Sequence, residues 1–153
     1  MTADILDGLA GLAPDSPIAL LRRQRDAFVR HAQDSHTALI TPADPGGLTL
    51  AERAAVALRV ATLEGDAALI AHYRAQQPQP AADAVPRRLA AILRHVELVT
   101  ATPGSATQAN IAALRDAGLT PRDIVVITQI VAFVSYQIRV AAGLRALAAE
   151  TRA

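Results

Sequence analysis

The 153-residue chain contains no cysteine and no tryptophan, and only 3% of its residues are aromatic. Without a thiol there can be no disulfide, no cysteine ligand to a metal and no thiolate nucleophile within the chain. An excess of charge is missing as well, since 15 basic residues stand against 14 acidic ones for a net charge of +1. No strong field draws in nucleic acid or an anionic membrane, and neither is expected as a partner. Period-two alternation is never sustained, so no convincing strand is predicted. The opening residues, MTADILDGLAGLAPDS, are acidic and lack the basic n-region and long apolar h-region of a secretory signal. A cytoplasmic location is the expectation. The most apolar run, residues 124–138, is 15 residues long and interrupted by Thr128, Gln129, Ser135, Tyr136 and Gln137. It falls short of the roughly 20 residues a spanning helix needs and reads as a buried core helix.

What the chain does have is aliphatic residues: 52% of it is hydrophobic, chiefly Ala, Leu, Ile and Val. A chain this long buries about 70% of its unfolded surface. One domain over residues 1–153 is therefore expected, with a poorly ordered N-terminal segment over about 1–15. Ala/Leu richness favours closely packed helices.

Helix punctuation divides the chain into about six helices. Ser16-Pro17 is an N-cap with proline at the first helical position, opening a helix to about residue 33. The loop TPADPGG, residues 41–47, cannot continue it. Thr49 and Glu52 then form a capping box for a helix that stops near Gly65. Asp66 caps a short helix through His72 to about residue 76, before QQPQPAADAVP interrupts the pattern. Pro86 opens the next helix, TATPGSAT ends it, and Thr107 starts a short one closed at Gly118, a left-handed C-cap position. The last helix runs from Thr120 to about residue 149. Within this order, LTLAERAAVALRVA (residues 48–61) aligns with LTPRDIVVITQIVA (residues 119–132) at an offset of 71 residues. Two related helix starts suggest a bundle with pseudo-twofold character.

Candidate chemistry is sparse. Glu52, Glu64, Asp66 and His72 could supply acid and base if they converge within hydrogen-bond reach. Each also has an ordinary role, since Glu52 and Asp66 cap helices and His72 fits a partly buried helix position. Gln129, Tyr136, Arg139 and Gly143 fall near one face of the last helix. An arginine in so apolar a segment calls for a partner, sought among Glu52, Glu64 and Asp66. Tyr136, Arg139 and Gln129 form either the polar end of a carboxylate pocket or, in Arg139, a buried ion pair between helices. No metal and no cofactor are expected, because His31 and His36 lack the i, i+4 spacing of a helical pair and His95 stands alone. The stretch IAALRDAGLTPRDIVVI has the outline of a helix-turn-helix. Its second helix turns wholly apolar after Arg122-Asp123, unlike a base-reading helix.

The helix pair at residues 48–75 and the tail at residues 93–147 resemble the alkylhydroperoxidase D-like, or carboxymuconolactone decarboxylase-like, family, particularly its peroxidase-related branch. The resemblance covers roughly two-thirds of the chain. It implies an all-α, alkylhydroperoxidase D-like multi-helix bundle that assembles as a homo-oligomer, a trimer or hexamer. Redox members of that family start a helix with Cys-x-x-Cys-x-x-x-His, with an upstream glutamate. Carried onto this chain, the histidine falls on His72 and the two cysteine places on Gly65 and Ala68, while Glu52 lies near the glutamate's place. The resemblance thus carries the fold without the thiols. It implies a non-redox binding or assembly subunit, acting beside a cysteine-bearing relative. An alternative is a thiol-independent lyase or hydrolase for a small carboxylate substrate, with His72 as base and Arg139 as anchor. A third is retained peroxidase activity.

Overall fold

The computed structural model describes residues 4–77 and 86–150, so most of the expected QQPQPAADAVP break lies outside the described residues. In chain order the helices are α1 (Ile5–Ala10), α2 (Pro17–Arg23), α3 (Asp26–Ile40), α4 (Leu50–Glu64), α5 (Ala67–Ala75), α6 (Arg87–Ala101), α7 (Gln108–Asp116) and α8 (Pro121–Glu150), with one 3-10 turn at Pro103–Ser105. The fold is all-α, and no strand occurs among the described residues.

Among the described residues eight α-helices stand where about six were expected, and the two extra ones lie near the N-terminus. Residues 5–10, expected to be poorly ordered, form α1: Asp4 caps it by accepting from Leu6 N at 2.7 Å and Asp7 N at 3.0 Å. Leu6, Leu9 and Ala10 are buried in the common core, and Arg145 Nη1 donates to the Leu9 carbonyl at 3.0 Å. The single helix expected over 17–33 is broken at Gln24-Arg25 and continues to Ile40. Around this break Arg22 reaches Asp4 and Asp7, and Arg23 reaches the Pro14 carbonyl. These long-range anchors leave no proline or glycine mark in the sequence.

Most of the local punctuation holds. Thr49 and Glu52 make the capping box of α4, with Glu52 N donating to Thr49 Oγ1 at 3.1 Å and Thr49 N to Glu52 Oε2 at 2.9 Å. Gly65 closes α4 at φ 78°, a left-handed conformation that costs a residue with a side chain and not glycine. Asp66 caps α5 through Ala68 N and Leu69 N, both at 3.1 Å.

The two segments related by 71 residues open neighbouring helices with the same chemistry. Thr120 and Asp123 repeat the box of Thr49 and Glu52, Asp123 Oδ2 accepting from Thr120 N at 2.9 Å. Arg88, at the start of α6, joins the two: it donates to the Gly47 and Gly118 carbonyls, each at 2.8 Å, and to Glu52 Oε1 at 2.7 Å. Gly47 and Gly118 are themselves 71 residues apart. Arg59 pairs with Glu97 and Ser135 with Glu64 towards the other ends. Hence α4, α6 and α8 begin together and run parallel. Buried Arg53 holds the loop before α4, donating to the carbonyls of Leu39 (2.6 Å), Pro45 (2.9 Å) and Leu48 (2.9 Å).

Val56, Val60, Ile92, Val96, Ile127, Ile130 and Val134 from these three helices fill the core. At 30 residues α8 is about 45 Å long. By length and composition alone it could cross a membrane, its most apolar 18-residue window having a mean hydropathy of 1.7. In this structure it is the central helix, packed against α4, α1, α6 and α3.

Candidate functional site

Two polar groupings flank α8. They lie on opposite sides of it because Phe133 and Ser135, two positions apart, point about 200° away from each other on a helix.

The first is a cavity of about 510 Å³ bounded by the end of α4, the second half of α6, the 3-10 turn and the middle of α8. Its size falls within the range of small-molecule pockets. Val99, Ile111, Val131 and Ala132 give it apolar walls, and Glu64, His95, Thr100, Thr128, Ser135 and Arg139 bring polar atoms to it. The Ser135 hydroxyl donates to Glu64 Oε1. Arg139 Nη1 lies 3.6 Å from Glu64 Oε2 and donates to the Ser135 carbonyl at 2.8 Å. Thr128 donates to the Ile124 carbonyl at 3.0 Å and is satisfied within its own helix. His95 and Thr100 differ: His95 Nδ1 and Thr100 Oγ1 are sealed from solvent without a hydrogen-bond partner. Burial pushes His95 below the usual histidine range and keeps its ring neutral at pH 7.

The second grouping is aromatic. The His36 ring lies 5.8 Å from His72 and 6.5 Å from Phe133, and Tyr73 meets His72 edge-on at 4.9 Å. Burial, with His72 as a lesser cause, lowers His36 to about 4, and burial lowers His72. Gln76 Nε2 lies 2.8 Å from His72 Nε2. The buried Tyr73 hydroxyl donates to Gln137 Oε1, and burial raises its pKa.

The residues singled out from sequence scatter over the fold. Glu52 sits at the start of α4, about 18 Å along the helix from Glu64, and is occupied by its cap and by Arg88. Asp66 is occupied by the α5 cap and by Arg145, which was not among the partners expected for it. His72 is half-buried in the aromatic grouping and does not line the cavity that holds Arg139. The pairing of His72 as base with Arg139 as anchor is therefore not assembled. Arg139 does find Glu64, one of its expected partners, but its side chain is 70% exposed, so the pair is a surface contact and not a buried one. Tyr136 is 42% exposed and stacks on Phe133 at 6.1 Å, and Gln129 is exposed. Neither joins Arg139 at the cavity. Gly65 and Ala68, onto which the resemblance carried the two cysteine places, are exposed.

Sequence reasoning set His95 aside and did not consider Thr100 or Ser135 as site residues. The signal was faint but present, since Thr128, Val131, Ala132, Ser135 and Arg139 recur at helical spacing, as do His95 and Val99. Among the described residues no cluster of three or more potential metal ligands occurs. No family model matches the chain, and no curated protein matches it.

Proposed function

We propose that this chain is a cysteine-free protein of the alkylhydroperoxidase D-like kind that performs no thiol chemistry and binds a small molecule in the cavity between α4, α6 and α8. One observation carries the reading: a cavity of about 510 Å³ has apolar walls from Val99, Ile111, Val131 and Ala132 and only a few polar side chains, among them His95, Ser135 and the Glu64–Arg139 pair, as small-molecule sites do. The thiol places support the same reading from the other side. Gly65 has a left-handed backbone that would strain a cysteine, and His72 is turned towards His36 and Gln76. The family resemblance adds self-assembly as a trimer or hexamer, the context in which a cysteine-bearing relative would join. The exposed face of α8, with Val125, Ala132 and Tyr136, is compatible with such packing.

Two measurements test this. The purified chain, given a dithiol and an organic hydroperoxide, should turn over no faster than a protein-free control; turnover above it would restore the peroxidase reading. Ala132→Trp, which fills the cavity from its α8 wall, should abolish ligand-induced thermal stabilisation seen with the parent. Undiminished stabilisation in the variant would place binding elsewhere.

A further inference from the structure

The cavity's own polar atoms restrict what it can hold. Glu64 and Arg139 form a pair, so together they leave no net charge on this wall. Glu64 Oε1 accepts from the Ser135 hydroxyl and Oε2 lies 3.6 Å from the Arg139 guanidinium, whose positive charge opposes an incoming ammonium group. An anionic head would lie beside the Glu64 carboxylate. It would also face a neutral imidazole, because burial disfavours the charged form of His95. Neither sign of charge is matched.

The histidine further sets the direction of the hydrogen bond. His95 is 6% exposed and its Nδ1 is sealed without an acceptor. A buried N–H with no acceptor is the rarer kind of orphan in folded proteins, so the proton is assigned to Nε2. Nε2 is then a donor, on a side chain that lines the cavity. Val99, Ile111 and Val131 complete the surroundings with hydrocarbon.

Resting on the cavity reading above, we propose that the bound molecule is uncharged and presents an oxygen acceptor, as a ketone, ester or alcohol does, to His95 Nε2, with a hydrocarbon tail against Val99, Ile111 and Val131. Three probes share a tail and differ in the head: octan-2-one, octanoate and octylammonium. Calorimetric titration of the full chain should give binding of the ketone about tenfold tighter than either ion, the scale of one hydrogen bond to a buried partner. His95→Leu, checked for retained helical circular dichroism, should weaken the ketone by about tenfold. His95→Gln, which keeps an N–H donor near the place of Nε2, should restore most of that loss. Should His95→Leu not fold, the ring nitrogen shifts of labelled His95 in the parent provide the second readout, moving on titration with octan-2-one.

Equal or tighter binding of octanoate or octylammonium would overturn the uncharged head and leave the cavity reading standing. Ketone binding that neither depends on His95 nor moves its ring signals would overturn the role of His95 in the same way. Failure of all three probes to bind would overturn both.

Discussion

At the scale of single residues, burial governs the titration of the buried histidines. His36 is held down to about 4 by desolvation and by the nearby His72 ring. An imidazole in the unfolded chain titrates near 6.5. Between those values the unfolded chain binds a proton that the folded chain refuses, so stability is fully present above about pH 6.5 and is lost as pH falls towards 4. His72 and His95, both lowered by burial, act with the same sign. Urea unfolding at pH 7 and 4.5 should show a drop on the order of 2 kcal/mol traceable to His36. His36→Leu should flatten it, and an unchanged slope in that variant would assign the effect elsewhere. Tyr73 and Gln137 make a different prediction. Their hydrogen bond is buried, and Gln137 Nε2 already lacks a partner. Tyr73→Phe should cost about 1–3 kcal/mol by stranding Gln137, and the double variant with Gln137→Met should recover part of it. A double variant no better than Tyr73→Phe alone would show that the ring's position, and not the stranded amide, sets the cost. Neither pair could be read from the sequence, because Tyr73 and Gln137 are 64 residues apart and their meeting is a property of how α5 docks on α8.

Helix ends were the most legible elements. The box at Thr49, the helix start at Thr107, the glycine closures at Gly65 and Gly118 and the cap at Asp66 all use bonds within four residues, so sequence neighbours suffice to identify them. The break between α2 and α3 was invisible because its anchors, Asp4, Asp7 and Pro14, lie in another part of the chain. His95 was passed over for a similar reason: its place at the cavity depends on how α6 docks against α4 and α8, which no local pattern shows. The junction of α4 and α8 yields a prediction at this scale. A Cβ on Gly47 would stand 2.7 Å from Asp123 Oδ1 and 2.9 Å from Oδ2. That carboxylate is fixed by Thr120 N and Oγ1, at 2.9 and 2.7 Å. Gly47→Ala should therefore lower stability by about 1–3 kcal/mol, the usual cost of overpacking. A neutral result in chemical denaturation would mean that the two helix starts can part without loss.

For the whole molecule, the N-terminal segment tests how far the core extends. Residues about 1–15 were expected to be poorly ordered, whereas α1 buries Leu6 and Leu9 beneath α8. Deleting residues 1–11 should cost roughly 3–6 kcal/mol, taking about 1.5–3 kcal/mol for each buried leucine. Thermal melts of the shortened chain would measure it, and an unchanged midpoint would show the core to be complete without α1. The overall all-α class was legible from composition and period alone, while the position of the cavity was not, since it depends on how α4, α6, α7, the 3-10 turn and α8 meet in space. The Arg88 clasp acquires its meaning here. It fixes α4, α6 and α8 at their starts through the Gly47 and Gly118 carbonyls and Glu52. Thr100 lies about 18 Å farther along α6, at 1.5 Å per residue. Away from the clasp, Arg59 on Glu97 and Glu64 with Ser135 tie the same helices a second time. The cavity walls are thereby held in one register from both directions, so a guest meets a surface already formed.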